Sequence, residues 1–414
     1  MSNIAVRSYP AINGESFLVI INGEKKTNIL IDCGYIKTAE KVIEDLISLG
    51  ENRLDLIVLT HIDNDHINGA RKLLKELKEH NSIEVGEIWY NDFLKMKGYK
   101  QSKHNDEIQK VSSIISAISS LPYPKPSNEY CKQNIGVESA EHIIQYLIGT
   151  NLEEKWNKSF NYGSIYIDKK IMRKKLNEEV SIVLLAPVKD VLNELLEGWE
   201  KYLRKHGYLE QISTNLEVAK AFEMYGINMK EKKIRVKKAK CGGEISLQQY
   251  LQDQEFDEGT INRSSIAFIV EFQDKRLLFL GDSSPIDVMN SLKQYAVDQE
   301  VEKIKVDLVK VAHHGSRYNW CSSYKDMICC DKYLISTNGV SYDHPDIETI
   351  CKIICSTKEE KRIYFNYKPD KIIDILNEIP EISAYKYSLK FENVSKKDNR
   401  ILVVPVTMEE QNEG

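Results

Sequence analysis

What this sequence lacks narrows it first. None of its 414 residues falls in an apolar run long enough to span a bilayer. The opening residues, Met1 to Arg7, hold no basic start followed by an apolar stretch, so no secretory leader is expected. Eight cysteines are scattered without a Cys-x-x-Cys pair, and the adjacent Cys329 and Cys330 are poorly placed to bridge each other. This argues against a disulfide framework or a cysteine zinc site and for free thiols in a reducing cytoplasm. Neither sign of charge dominates: the net value is −5 with both signs abundant, which neither demands nor forbids a polyanionic partner. The expectation is a cytoplasmic chain with no membrane association.

What is present is enough for a sizeable core, with 42% hydrophobic and 29% charged residues. The length is large for one ordinary domain but within reach of a single α/β unit carrying insertions. The chain reads as one domain over 1–414, with an insertion over about 100–260 acting as a lid or accessory subdomain, and a C-terminal extension over 366–414.

The pattern centres on Leu59-Thr60-His61-Ile62-Asp63-Asn64-Asp65-His66-Ile67. A short apolar strand, Asp55 to Leu59, runs into it. A helix over 71–80 follows, with Leu73, Leu74 and Leu77 at helical spacing. Two imidazoles and two carboxylates thus sit on a loop leaving a strand, where α/β folds place their chemistry. Neutral imidazole and carboxylate suit Zn²⁺, Mn²⁺ or Fe²⁺. His61 with Asp63 would grip one ion, and Asp65 with His66 a second; two ions about 3.5–4 Å apart activate water and clamp the oxygens of an ester. The competing reading is a solvated turn whose Asp and His merely cap the next helix.

Around this loop, Phe17–Ile21 and Thr27–Asp32 read as a hairpin, followed by a helix over about 38–49. Asp32 closes its second strand. Val85 to Asp92 is a further strand, and Asn91 faces the site with an amide. His80, His104 and His142 read as surface residues. A helix over 108–120, a proline-broken stretch over 121–127 and a helix over 138–148 follow. Trp156 and Phe160 read as core anchors, and strands are expected near 164–168 and 181–185. Residues 189–226 have helical periodicity with Leu192, Leu195, Leu196 and Trp199 as one stripe. The basic run Lys230 to Lys240 is either a solvated loop or a phosphate-backbone contact.

Downstream, strands are expected over 262–270, 276–280, 306–311 and 333–336. Asp282 leaves the end of one. His313-His314-Gly315-Ser316-Arg317 leaves the end of another. One of these imidazoles serves as a general acid or as a metal ligand, while Ser316 and Arg317 have the chemistry to contact phosphate oxygens. His344 lies on a loop before a helix over 346–355. A strand at 363–365, a helix near 372–379 and strands over 386–391 and 401–406 extend a sheet or form a homodimer edge, before a frayed tail over 408–414.

The 59–67 stretch resembles the His-x-His-x-Asp-His signature of the metallo-β-lactamase superfamily, with Asp63 in place of the second His. With Gly281-Asp282 and His313-His314-Gly315-Ser316, it resembles the hydrolase domains of ComEC-type competence proteins. The resemblance covers roughly 15–100 and 260–365. It implies an αββα metallo-β-lactamase-like sandwich. It also implies a second-layer role for Asp32 in orienting a ligand, Asp282 as the bridge between two metals, and His344 as the last metal-binding His. The superfamily's third-motif His has no placed counterpart. Asp32 as a helix cap remains an open alternative.

The resulting reading is a metal-dependent hydrolase with two divalent ions, Zn or Mn. Asp65 orients the nucleophile, and His313 or His314 protonates the leaving group. A phosphodiester in DNA or RNA is the first substrate choice. A small-molecule hydrolase acting on a lactone, thioester or β-lactam, and a metal-bound regulator without turnover, are the alternatives.

Overall fold

The structure is a computed structural model that describes residues 3–80, 83–98, 142–205, 222–223, 246–253, 255–340, 342–393, 395 and 398–407. In chain order the strands are β1 (Asn3–Ser8), β2 (Phe17–Asn22), β3 (Lys26–Ile31), β4 (Arg53–Leu59), β5 (Glu84–Tyr90), β6 (Met172–Lys175), β7 (Val180–Ala186), β8 (Ala267–Phe272), β9 (Lys275–Phe279), β10 (Ile304–Lys305), β11 (Leu308–Lys310), β12 (Ile328–Cys329), β13 (Lys332–Ile335), β14 (Lys361–Tyr367), β15 (Tyr387–Asn393) and β16 (Leu402–Pro405). They form one sheet in the order β16-β1-β2-β3-β4-β5 and a second in the order β15-β14-β13-β11-β9-β8-β7-β6, with β10 and β12 as a small separate pair.

The strands read as continuous apolar runs because both faces are covered. Along the first sheet, Val19, Ile21, Ile29, Ile31, Leu56, Val58 and Trp89 pack toward the second sheet, against Ile182, Phe268, Val270 and Phe279. Rings meet across this layer: Phe17 and Phe279 are 6.3 Å apart, Trp89 and Phe268 6.4 Å. The intervening residues, among them Leu18, Leu30, Ile57 and Leu59, face helices instead. The helices Ile36–Ser48, Ala70–His80 and Lys189–Lys205 cover the first sheet. Pro285–Asp298, Ile347–Ile354 and Asp370–Asn377 cover the second. The architecture is therefore a four-layer αββα sandwich. No helix among the described residues is long and apolar enough to cross a membrane.

Several local expectations change. Residues 164–168 contribute only an isolated bridge, Ile167 to Val188, and no strand. The segment before β8 starts as a helical turn, Thr260–Arg263, because Arg263 is drawn to Asp287 at 2.9 Å. β1, β6 and the helix Pro285–Asp298 were not foreseen. His142 is buried beside Glu223, 3.4 Å away, and so is no surface residue. Within 100–260, β7 is a wholly buried strand of the second sheet. From 366 onward, β15 edges the second sheet while β16 pairs with β1 on the first. The expected helix over 108–120, the break over 121–127, His104, the basic run 230–240, most of 206–226 and the tail 408–414 lie outside the described residues.

This topology gathers loops. β3 and β4 run parallel, as do β9, β11 and β13. The loops leaving their C-terminal ends therefore emerge together at one edge, carrying Asp32, residues 60–67, Asp282, His313-His314 and Ser336–His344.

A candidate metal centre

The first half of the site is built on Asp32. Its backbone is left-handed (φ 55°), and its carboxylate is wholly buried. One oxygen accepts the Thr60 N–H and the other the Thr60 hydroxyl, both at 2.8 Å. The second oxygen also lies 2.8 Å from His66 Nδ1. Asp32 thus orients a histidine and is not a helix cap; the helix that follows begins after Tyr35. Thr60 Oγ1, having donated to Asp32, is left to accept from His61 Nδ1 at 3.0 Å. Both imidazoles are thereby held by Nδ1 and present Nε2 to the interior.

The second half repeats this logic. His313 and His314 have successive left-handed backbones, φ 45° and 54°. Such strain persists only where the surroundings enforce it. Here it turns both rings toward one centre. His314 Nδ1 donates to the Ser336 carbonyl at 2.8 Å, and His313 Nδ1 lies 3.0 Å from Asn319 Oδ1. Asp282 follows Gly281, whose φ of 52° would strain any other residue and whose added Cβ would meet Ser265 at 3.0 Å. The Asp282 backbone is pinned by Ser265 Oγ and Asn319 Nδ2.

The two halves meet at one atom. Asp282 Oδ2 lies 3.4 Å from His66 Nε2, 3.7 Å from His313 Nε2, 3.8 Å from His61 Nε2 and 3.9 Å from His314 Nε2. Asp65 Oδ2 is 3.3 Å from His314 Nε2 and accepts from Asn13 Nδ2 at 3.1 Å. Asp63 Oδ2 is 3.7 Å from His61 Nε2.

These donors fit divalent cations. Two ligands of one tetrahedral ion with bonds of about 2.0–2.1 Å stand roughly 3.3–3.4 Å apart, close to the shorter spacings here. His61 Nε2, His66 Nε2 and Asp282 Oδ1 are buried without a hydrogen-bond partner, an unfavourable state that a cation relieves. Glu15, His66, Asp282 and His314 also offer ligand atoms that all lie within 4.8 Å of one another. Anchoring each imidazole from behind is what metal-binding histidines require.

Without ions the cluster holds protons instead. Burial pushes His314 down, but Glu15, Asp282 and Asp65 more than reverse this and raise it to about 9. His66 is likewise raised well above its ordinary value, by Asp282 and Asp32 against burial. Burial pushes Asp65 up, and His314 and His66 bring it down to about 2.

Other expected residues fall elsewhere. His344 stands one ring further out: its ring is 5.4 Å from His313, and its Nδ1 is 3.5 Å from Asp346. Asn91 does not face the centre; its amide is spent on both backbone groups of Ile165, at 2.7 and 2.8 Å. Arg317 is turned to Glu348 at 2.6 Å and packs on Tyr318, so its fork is not open to a phosphate in this arrangement. Ser316 is buried, its hydroxyl 3.3 Å from the Tyr318 N–H.

Sequence reasoning missed Glu15, Lys310, Asn13, Asn319 and Asp257. Of these only Lys310 left a signal, a single charge inside the apolar run Val306–Val311. The tryptophan Trp156 is buried as expected and donates to the Tyr90 carbonyl.

Comparison with known proteins agrees with this geometry. Residues 12–149 match the model of the Metallo-beta-lactamase superfamily. No curated protein sequence matches the chain. Among solved structures, the chain is similar to a mutant CmlA beta-hydroxylase, with 12% identity and a TM-score of 0.35, over 97% of this chain and 53% of that one. The chain spans about half the length of that structure. The match to the Metallo-beta-lactamase superfamily thus spans residues 12–149, the stretch that carries Asp32 and the loop from His61 to His66.

Proposed function

We propose that this chain is a metal-dependent phosphodiesterase that cleaves DNA or RNA with two divalent ions, Zn²⁺ or Mn²⁺. The observation that supports hydrolysis is the convergence of four imidazole Nε2 atoms on Asp282 Oδ2, each ring held from behind. His61 and Asp63 would hold one ion, His66, Asp65 and His314 the other, with Asp282 between them. Divalent ions, when bound, lower the pKa of water and offset charge on phosphoryl oxygens. Five carboxylates, those of Glu15, Asp32, Asp63, Asp65 and Asp282, crowd this region with Lys310 among them, an imbalance that favours two cations over one.

The remaining steps belong to the protein. Asp65, kept ionised, accepts a hydrogen bond from the attacking water and orients it. His314, wedged between Ser336 and Asp65, is a ligand. His313 is the proton donor to the leaving oxygen. Behind its Nδ1 stand Asn319 and, at 3.7 Å, Asp257. Burial pushes Asp257 up, but His313, Asn262 and the Gly259 N–H pull it to about 2, so a carboxylate backs the imidazolium throughout.

The nucleic-acid assignment is supported by the sequence: the basic run over 230–240 and the resemblance to ComEC-type hydrolase domains. A second reading, hydrolysis of a small uncharged ester, lactone or thioester, is favoured by Arg317, whose Nη1 donates to Glu348 and Nη2 to the Tyr318 hydroxyl. Purified protein loaded with Mn²⁺ or Zn²⁺ and given circular and linear DNA, RNA, bis-p-nitrophenyl phosphate and p-nitrophenyl acetate separates the two. The nuclease reading expects strand cleavage that weakens as salt rises and that falls in a salt-sensitive way when 230–240 is deleted. Turnover of the acetate alone would overturn it. Stoichiometric metal with no turnover on any substrate would favour a regulatory role.

A further inference from the structure

One buried charge beside the candidate centre has no part in the mechanism above. Lys310 is the last residue of β11, and its side chain is only 1% exposed. Its ammonium contacts Glu15 Oε1, and Glu15 is equally buried. It donates to the Gly281 carbonyl at 3.1 Å and stands 4.0 Å from Asp282 Oδ1. Removing an ammonium from water costs several kcal/mol unless close partners compensate, and an ammonium beside a metal centre repels the very ions the centre binds. Lys310 is therefore a poor device for raising metal affinity. Its geometry serves a different purpose.

Glu15 is the key to it. Its carboxylate belongs to the group of four whose ligand atoms lie within 4.8 Å of each other, so it is close enough to bind an ion. Yet its Oε1 is the oxygen against Lys310, and it also stands 3.2 Å from His314 Nδ1, on the outer side of that ring. The Glu15 backbone is tied down separately, its N–H donating to the Asp65 carbonyl at 3.1 Å.

We propose that Lys310 is a positioning residue that decides which carboxylate oxygens ligate. It holds Glu15 out of the ligand set and behind His314. The inference rests on the metal reading above. Asp65, His66 and Asp282 are ligands in it; Glu15 is not. β11 thus delivers both the imidazoles at 313 and 314 and the cation that arranges their neighbours.

Visible absorption of Co²⁺-loaded protein tests this without reference to turnover, because the bands report coordination number and ligand type. Wild type, Lys310→Met, Glu15→Gln and the double variant are titrated with Co²⁺ alone, with bound metal counted and folding checked by urea denaturation. Lys310→Met frees Glu15 to enter the ligand set, so its bands shift and weaken. The double variant returns to the wild-type spectrum. Glu15→Gln alone keeps the wild-type stoichiometry and bands, a result available even should Lys310→Met fail to fold. An unshifted Lys310→Met spectrum, or loss of one Co²⁺ equivalent in Glu15→Gln, overturns the inference while leaving the metal centre standing. A wild type that binds no Co²⁺ overturns the metal reading itself.

Discussion

The two halves of this centre are built differently. The first places four candidate ligands within one hexapeptide, His61 to His66, and stabilises them through a single buried carboxylate, Asp32. The second draws on three separate strand ends: Asp282 after β9, His313 and His314 after β11, and Ser336 to His344 after β13. A compact loop depends on its local hydrogen bonds. A dispersed half depends on the parallel register of β9, β11 and β13. Damage to the first should be local and chemical, while damage to the second should spread through the sheet.

Substitutions can break this comparison in order of severity. Asp282→Ala removes the atom on which both halves converge. It should abolish metal binding and hydrolysis together, whereas Asp63→Ala should lose only part of the metal; elemental analysis of purified variants decides. Gly14→Ala comes next. A Cβ there would sit 2.1 Å from the Asp65 carbonyl oxygen, forcing apart the loop that carries Asn13 and Glu15. A loss of about 1–3 kcal/mol in urea unfolding is expected, with weakened metal binding. Asp32→Asn keeps the shape but not the charge behind His66. Metal affinity should fall roughly 10–100-fold, measured by titration calorimetry, with about 1–3 kcal/mol lost in unfolding because the new NH2 group faces buried donors.

A pH test sharpens the contrast between empty and loaded centres. In chelator-treated protein His314 is raised to about 9. A raised imidazole contributes stability that is fully present below its unfolded value, about 6.5, and is lost as pH climbs through about 9. Thermal unfolding of the stripped protein should therefore weaken across that window, by on the order of 1–3 kcal/mol. Loaded protein should show the reverse over the same range, since ligation needs neutral imidazoles. Parallel slopes would break the assignment of His314 as a ligand. The smallest effect is expected at the rim. His344→Ala should leave metal content at wild-type level, because His344 sits beside His313 and Asp346 and not among the atoms around Asp282.

Legibility followed the same division. The hexapeptide could be read directly, since no helix or strand places four such residues on one side. The layered fold was readable from runs such as Leu56 to Leu59 and Phe268 to Val270, whose lack of alternation signals cover on both faces. Other features resisted reading for physical reasons. Glu15 is a lone acid in a loop, and contacts distant in sequence, with Lys310 and His314, give it a role. Asn91 carries the same amide whether it faces a metal or a backbone, and Ile165, distant in sequence, decides the matter. His142 is buried because Glu223 meets it from another segment. The third-motif histidine that the resemblance implies has no counterpart among residues 91–98 after β5, while the additional imidazoles near Asp282 come from the end of β11.

The placement of the final strands has a consequence for biosynthesis. β16 zips onto β1, and Lys332 of the opposite sheet donates to the carbonyls of Pro405 and Val406. The two layers are therefore clasped along one seam by residues 402–406. The histidines of the centre all precede this clasp in the chain, so a nascent chain would hold them before it holds the strand that joins the layers.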